Sequence, residues 1–261
     1  LAAGPGKRMH STLPKVLHTL ADKPLLQYIV ETVKGLHPNN IYVVYGNGGN
    51  QVLNCLGHLA VNWVKQAELL GTGHAVAQAI LEIKQDESRV LILLGDTPLV
   101  SLKTLQKLLH ATHTHQIGLI TLTTTQPFGL GRILRDQHGK VVQIVEEKEA
   151  TPAQKKIKEV NSGIFYVPVK LLKRWLPKIK KINAQGEYYL TDIITMAVEE
   201  KVEIVTLSLT IDGERQGVND RVQLAKLERF FQRSTAEKLM LTGVTLRDHT
   251  RFVLRGKLIS G

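Results

Sequence analysis

The chain has 261 residues, of which 43% are hydrophobic and 22% charged, a composition that is typical of globular proteins and excludes a disordered chain. No segment reaches the roughly 20 consecutive apolar residues of a membrane span, and the apolar opening is too short for a signal peptide. The single cysteine, Cys55, excludes a disulfide framework. We therefore expect a cytoplasmic protein that does not bind a membrane, with Cys55 buried in its core.

The net charge of +11 comes from 34 Lys and Arg against 23 Asp and Glu. Such an excess occurs in nucleic-acid-binding proteins, but a single-strand platform interleaves basic and aromatic side chains, and no segment of this sequence does so. Many basic residues lie between Lys155 and Lys181, where they suit a solvated helix surface. We predict no nucleic-acid partner, and the remaining positive charge suits a polyanionic small molecule.

Apolar periodicity predicts alternating helices and strands along the first half of the chain. The glycine turn Gly4-Pro5-Gly6 is of the kind that follows a buried strand, so we expect most of the first strand to be missing. Predicted helices cover 24–36, 48–58, 73–83 and 101–112, and predicted strands cover 41–45, 61–64, 89–94 and 117–123. This order predicts an α/β domain with a mainly parallel, mixed sheet, helices on both faces, and an active site at the carboxyl ends of the strands.

The pattern changes in the second half of the chain. Two short strands, 132–134 and 141–145, flank Asp136-Gln137-His138-Gly139, which predicts a hairpin and thus a small β insertion at one edge. A long helix is predicted over 219–241. The final stretch, 244–261, has a strand-like pattern.

Two segments suit phosphate and metal binding. The turn Gly4 to Arg8, followed by Lys15, lets backbone N–H groups approach phosphate oxygens while the cations balance the charge. It is neither a P-loop nor a dinucleotide fingerprint, and such a turn is often only a turn. Asp96 follows the most apolar strand, where its carboxylate would hold a hard cation such as Mg²⁺ or else cap the turn into Pro98.

The segment from Gln66 to His74 follows a predicted strand and opens a predicted helix. The Gln66 amide offers both a donor and an acceptor to a base edge, and Gly71-Thr72-Gly73 allows a ligand to approach the backbone closely. We expect His74 to pack against the helix and to have no catalytic role.

These segments and several others follow one another in an order that is typical of a single family. They are LAAGPGKRM at 1–9, LPKVLH at 13–18, QAELLGTGHA at 66–75, GDTPL at 95–99, GRI at 131–133, IVE at 144–146, NSGI at 161–164, NAQGEYYLTDI at 183–193 and GVNDR at 217–221. Together they resemble the bacterial N-acetylglucosamine-1-phosphate uridyltransferases. The resemblance implies a Rossmann-like nucleotidyltransferase domain over 1–217 that converts UTP and N-acetylglucosamine 1-phosphate to UDP-N-acetylglucosamine and pyrophosphate, for peptidoglycan and lipopolysaccharide synthesis.

The resemblance also implies roles for individual residues. The uridine would be held by the backbone of Leu1, Ala2, Ala3 and Gly4 and by the side chain of Gln66, with Gly71 and Thr72 beside it. Arg8 and Lys15 would bind the phosphates and act in catalysis with Asp96. Asp96 and Asn219 would hold Mg²⁺, and the substrate would also contact Gly95 and Asn219. Gly131, Glu146 and Asn161 would contact the sugar and its N-acetyl group.

The end of the chain resembles the entrance to a second domain. Residues 218–243 would form a long linker helix and 244–261 the start of a truncated left-handed β-helix domain, which carries an acetyltransferase and forms trimers in the family. We expect no acetyltransferase activity from this chain, a monomer without that domain and a homotrimer with a complete one.

The chain departs from the family at Lys7, Leu94, Phe128 and Leu130, and the last two border the expected sugar pocket. Two rival interpretations remain open. One is a related nucleotidyltransferase that uses another sugar phosphate or nucleotide. The other is a basic nucleic-acid-binding protein on an inactive enzyme fold.

Overall fold

The computed structural model describes residues 1–209, 213–214, 216–256 and 258. Its strands are β1 (Thr19–Leu20), β2 (Lys23–Pro24), β3 (Tyr42–Tyr45), β4 (Asn62–Lys65), β5 (Arg89–Ile92), β6 (Ile117–Thr123), β7 (Arg132–Arg135), β8 (Val141–Val145), β9 (Glu159–Pro168) and β10 (Ile204–Leu209). Its α-helices are α1 (Leu25–Lys34), α2 (Gly49–Leu56), α3 (Thr72–Ile80), α4 (Leu102–Ala111), α5 (Val169–Trp175), α6 (Asp192–Glu199) and α7 (Arg221–Leu241). Each helix and strand predicted between residues 24 and 145 is confirmed, with bounds that differ by a few residues at most.

The main sheet is mixed, as predicted. β10 runs parallel to β6, whereas β9 runs antiparallel to β5, β6 and β7. β3 and β4 form a parallel pair, and β7 and β8 form the predicted hairpin. β5, β6 and β10 therefore point in one direction, and β9 is inserted between β5 and β6 in the opposite direction.

The first three residues continue the sheet between β3 and β5. Ala2 forms a parallel bridge with Tyr45. On the other side, the Leu1 amine donates to Leu93 O at 2.6 Å and Gly95 N donates to Leu1 O at 2.7 Å, which is the alternating pattern of a parallel ladder. The turn that follows is thereby placed beside the carboxyl end of β5. That these residues end a longer strand stays a prediction.

Helices cover both faces of the sheet. The central strand β6 carries apolar side chains on each face, and those side chains are buried only if helices pack on both. Ile117 and Leu119 pack in the core with α3, α5 and α6. Ile120 and Leu122 pack in a second core with α1 and α4. A strand that is buried on both faces has the near-continuous apolar sequence that predicted it.

The long helix α7 packs against the N-terminal part of the chain. Leu227 is fully buried in a cluster with Met9, Leu20 and Val218. Arg221 Nε donates to Met9 O at 3.0 Å, which joins the first turn of α7 to the turn after the first three residues. This packing holds Asn219, which lies two residues before the helix, at the carboxyl edge of the sheet.

Two predictions are wrong. Cys55 is exposed, because Val52 and Leu56 are the positions of α2 that face the core. The strand-like pattern over 244–261 gives no strand in 244–256 or at residue 258, since an extended segment becomes a strand only by pairing with a neighbour, and the remaining residues of that stretch lie outside the described part. No helix of the described residues is long and apolar enough to cross a membrane.

Candidate active site

Three polar side chains from distant segments meet beyond the carboxyl end of β5. Lys15 Nζ forms an ion pair with Asp96 Oδ2 and donates to Asn219 Oδ1 at 3.3 Å. The side chains of Lys15 and Asp96 are only 15% and 13% exposed, so the pair is largely shielded from water. An ammonium group has three donors, and these contacts use two of them.

Backbone contacts hold these side chains in place. Val218 N donates to Asp96 O at 2.8 Å, which joins the segment before α7 to the segment after β5. Lys15 packs directly on Gly6, where an added Cβ would lie 2.8 Å from Lys15 Cβ and where φ is +59°. Glycine is therefore required at this position for two reasons, space and a left-handed backbone. The glycine turn thus determines where Lys15 lies.

A second group of predicted residues surrounds the N-terminus of α3. Gln66 follows β4 directly and is 3% exposed. Its Nε2 donates to Gly71 O at 3.2 Å and lies 3.0 Å from His74 Nδ1. Thr72 Oγ1 accepts a bond from Leu190 N at 3.0 Å. His74 is thus hydrogen-bonded to the predicted base-binding side chain, which goes beyond the packing role expected for it.

A third group lies where β7, β8 and β9 meet. Asn161 N donates to Gly131 O at 2.8 Å. A Cβ placed on Gly131 would lie 3.5 Å from both carboxylate oxygens of Glu146. Thr191 Oγ1 donates to Glu146 Oε1 at 3.0 Å. The structure therefore brings together the three residues that were predicted to contact the sugar.

The Glu146 carboxyl group is electrostatically perturbed. Burial raises its pKa, the bond from Thr191 lowers it, and the negative charges of Asp192 and Glu187 raise it further, so that the net direction is upward. Burial also raises the pKa of Asp192. A buried carboxylate, which has few water molecules around it, is stabilised strongly by an additional hydrogen-bond donor such as a ligand hydroxyl group.

Arg8 has a different neighbour from Lys15. It is exposed, and its Nη1 is 4.0 Å from the position of a Cβ placed on Gly129. Arg8 therefore faces the loop before β7. In that loop Phe128 is 80% exposed, whereas Leu130 packs partly buried against the core with α1 and α4. Lys7 is exposed in the same short turn as Arg8.

The residues that connect these groups were not predicted from the sequence. Gly73 N donates to Tyr188 O at 2.8 Å, and Tyr188 N donates to Leu70 O at 2.7 Å. The segment before α6 is thus bonded to the loop before α3, and Thr191 of the same segment reaches Glu146. These residues belong to the motif at 183–193, but no spacing in that motif shows which loop it bonds to.

Asp96 and Asn219 fit a divalent cation by their chemistry. Carboxylate and amide oxygens are the ligands that hard cations prefer, and these two contact the same ammonium group. In the part of the chain that the structure describes, no group of three His, Cys, Asp or Glu could hold a metal. A cation here would therefore need water or phosphate oxygens as well, which is the usual way in which proteins bind Mg²⁺.

Residues 1–199 match the MobA-like NTP transferase domain family. The chain belongs to this family. Nucleotidyltransferases of this kind generally use a divalent metal and act on small nucleotide-sugar substrates. The matched region includes Lys15 and Asp96, and Asn219 lies beyond it.

Curated relatives extend the similarity to the whole chain. It is 48% identical over 266 residues to the bifunctional protein GlmU of Legionella pneumophila, covering 100% of this chain and 58% of the relative. It is 49% identical over 259 residues to the bifunctional protein GlmU of Coxiella burnetii, covering 99% of this chain and 57% of the relative. The chain therefore spans little more than half the length of these relatives.

Solved structures support the fold. A UDP-glucose pyrophosphorylase complexed with UDP-glucose superposes with a TM-score of 0.70 at 18% identity, over 89% of this chain and 97% of the other. A putative glucose-1-phosphate thymidylyltransferase from Bacillus anthracis superposes with a TM-score of 0.66 at 16% identity, over 95% and 96% of the two chains. The Rossmann-like nucleotidyltransferase fold is thus confirmed.

Proposed function

We propose that this domain joins UTP to N-acetylglucosamine 1-phosphate, with Mg²⁺ as its metal, giving UDP-N-acetylglucosamine and pyrophosphate. The observation that carries the proposal is the meeting of Lys15, Asp96 and Asn219 at the carboxyl edge of the sheet, where open α/β sheets bind their ligands. The similarity to bifunctional GlmU proteins supports this choice of substrates. The product would supply peptidoglycan and lipopolysaccharide synthesis in the cytoplasm.

In this reaction an oxygen of the sugar phosphate attacks the α-phosphorus of UTP. A new P–O bond forms as the bond to the β-phosphate oxygen breaks, and pyrophosphate leaves with the electron pair of that bond. Both reactants are anions, so the protein must position them and neutralise their charge. No protein nucleophile is required.

The residues around Lys15 are suited to this task. The Lys15 ammonium group and the Arg8 guanidinium group would bind the triphosphate and stabilise the departing pyrophosphate. Asp96 and Asn219 would hold Mg²⁺, which neutralises phosphate charge when it is bound. The bond from Val218 N to Asp96 O keeps these two oxygen ligands on facing segments of the chain.

The other two groups would bind the base and the sugar. The uridine would lie against the backbone of Leu1 to Gly4 and against Gln66, Gly71 and Thr72. Gly95 supports this arrangement because a Cβ there would lie 3.0 Å from Leu1 O and disturb the pairing of the first residues with β5. Gly131, Glu146 and Asn161 would contact the acetamido sugar, with Glu146 accepting from a sugar hydroxyl group.

Proposals about the whole protein rest on its longer relatives. We propose that the natural chain continues from the linker helix at 218–243 into a left-handed β-helix that begins within 244–261. That domain would add acetyltransferase activity and assemble trimers, whereas the present chain would be monomeric and lack this activity. Light scattering on this chain measures its mass directly, and a trimer would contradict the proposal.

The direct test is pyrophosphate release from UTP and N-acetylglucosamine 1-phosphate, measured with Mg²⁺ and with EDTA. We expect metal-dependent release that is fastest for this pair in a panel with glucose 1-phosphate and the other nucleoside triphosphates. Asp96→Asn should lower the rate at least about 100-fold, because it removes the charge that would hold the metal. Asp86→Asn is the matched control, since Asp86 is also paired with a lysine, Lys173, but on the exposed surface.

Three results would contradict the proposal. Equal rates with and without metal would exclude the metal role of Asp96. A faster reaction with another sugar phosphate or nucleotide would assign the domain to a related nucleotidyltransferase. A folded protein without activity on the whole panel, which binds DNA or RNA in a strongly salt-dependent manner unaffected by Asp96→Asn, would favour the nucleic-acid interpretation.

A further inference from the structure

We infer that His74 is a positioning residue that selects uracil, because it fixes which end of the Gln66 amide faces the base. The inference rests on the proposed function, in which a pyrimidine nucleotide lies against Gln66. Three contacts decide whether Gln66 offers a donor or an acceptor to the base. They join Gln66 to Gly71, Gln66 to His74, and His74 to Gln78.

The Gly71 carbonyl oxygen is one of the two acceptors that together orient the amide. It lies 3.2 Å from one end of the Gln66 side chain, and a carbonyl oxygen can only accept a hydrogen bond. That end must therefore be the NH₂ group. Because Gln66 is 3% exposed, the reverse orientation would place two acceptors against each other with little water to separate them.

His74 takes the second hydrogen of the same NH₂ group. Its Nδ1 lies 3.0 Å from Gln66 Nε2, so Nδ1 must be the unprotonated, accepting nitrogen of a neutral ring. The proton then resides on Nε2, which lies 3.2 Å from the side-chain amide of Gln78. Gln78 can turn its oxygen toward this proton, and the Tyr188 ring packs at 6.2 Å from the imidazole. Both hydrogens of Gln66 are therefore committed inside the protein.

The atom that remains for a ligand is Gln66 Oε1. No donor from the described residues reaches this oxygen, while both hydrogens on Nε2 are already bonded. Uracil offers a donor at N3–H, which Oε1 accepts. Cytosine has an unprotonated N3 at the same place, so that two acceptors would face each other. An acceptor-only site thus distinguishes the two pyrimidines that fit the same space.

Without the His74 acceptor, the amide loses one of the two bonds that orient it. It can then turn and present its NH₂ group, which pairs with cytosine N3 instead of uracil N3–H. His74 touches neither the base nor the reacting phosphates in this scheme. It acts on selectivity through Gln66 alone.

The test compares kcat/KM for UTP and CTP in wild type and three variants. His74→Asn places an amide oxygen near the position of Nδ1, and we expect it to keep the wild-type ratio of UTP to CTP. His74→Leu removes the acceptor, and His74→Gln places its polar group near Nε2 instead. Both should lower the ratio at least about tenfold, the size of one base-specifying contact. The KM for the sugar phosphate should remain unchanged.

Calorimetric binding of UMP and CMP to the same proteins gives a readout without turnover, and we expect the same ordering. A wild-type ratio in His74→Leu, or an equal loss in all three variants, would overturn the inference and leave a structural role. If His74→Leu fails to fold, His74→Gln provides the comparison. Failure of the wild type to use UTP would overturn the proposed function first, and that result needs no variant.

Discussion

At the scale of a single residue, the buried carboxyl group of Glu146 lowers the stability of the folded protein when it is ionised. Its carboxyl group is largely buried beside two other acidic side chains, Asp192 and Glu187, and one hydroxyl donor, Thr191, compensates for the lost water. A group placed in this way favours ligand binding over stability.

We predict that Glu146→Gln stabilises the protein while it weakens sugar-phosphate binding. Because the pKa of Glu146 is raised, the folded state binds its proton more tightly than the unfolded state, and stability falls as pH rises from the usual pKa to the raised one. Glutamine removes this penalty. The gain in Tm should therefore be larger at about pH 8 than at about pH 5, as measured by calorimetry.

Glu159→Gln is the control of opposite sign. The hydrogen bond from Arg135 lowers the pKa of Glu159, although burial partly opposes it. Glu159 therefore adds stability that is present above its usual pKa and is lost as pH falls through the lowered one. We expect this variant to lower Tm by a similar amount at about pH 8 and about pH 5, since both values lie above the usual pKa of Glu159, and by less at about pH 3. A Glu159→Gln effect that changed between about pH 5 and about pH 8 as much as the Glu146→Gln effect would contradict these two pKa directions.

At the scale of elements, the loop before α3 depends on the segment before α6. Gly71 has φ 106° and ψ 177°, a region that is essentially restricted to glycine. A Cβ at this position would lie 2.6 Å from Tyr188 O, so the two segments approach each other at a point where no other residue fits.

We predict that Gly71→Ala destabilises the protein by about 2 kcal/mol or more, through both backbone strain and the collision. Gly186→Ala is the matched control, because Gly186 also has a positive φ, +63°, but an added Cβ would have no atom within 4 Å. It should cost about 1 kcal/mol, from strain alone. Urea unfolding measures both values, and equal losses would show that contact with Tyr188 is unimportant.

The elements themselves were largely predictable, while their pairing was not. The helical spacing of apolar residues predicts α1 and α4, and the continuous apolar run predicts β6. Each pattern reflects which side chains are buried locally. The insertion of β9 between β5 and β6 depends on pairing between segments far apart in the chain, which no local period encodes. The exposure of Cys55 was missed because a single cysteine has no periodic pattern of its own.

The same distinction holds for the candidate site. Residues of recognisable motifs, such as Lys15 after the glycine turn and Asp96 after β5, could be named from the sequence, and the structure places them in contact. The hydrogen bond between Gln66 and His74 and that between Glu146 and Thr191 involve the orientation of side chains, which the sequence does not specify. The roles assigned to all these residues stay predictions until they are tested.

At the scale of the whole molecule, α7 determines whether the three residues of the candidate site meet. It begins just after Asn219, and its buried Leu227 packs with Met9 and Leu20 from the first part of the chain. Loss of this packing would move Asn219 away from Lys15 without touching either residue.

We predict that Leu227→Ala destabilises the protein by about 2–5 kcal/mol, since it leaves a cavity between α7 and the N-terminal segments. The exposed Leu241 lies on the same helix, with 87% of its surface accessible, and Leu241→Ala should change stability by less than about 0.5 kcal/mol. Chemical unfolding compares the two. Equal stability of both variants would show that α7 does not contribute to the fold of the domain.

The contact between Lys15 and Asn219 spans 204 positions of the chain. Because a polypeptide emerges from the ribosome with its N-terminus first, the glycine turn and Lys15 are synthesised long before the residue that they must meet. Most strands can pair before α7 exists, so the nascent chain can hold a nearly complete sheet while Asn219, one of the two proposed metal ligands, is still missing. Under the proposed function, catalytic competence would therefore arrive late in synthesis, in one step, when the start of α7 docks onto the segment around Lys15.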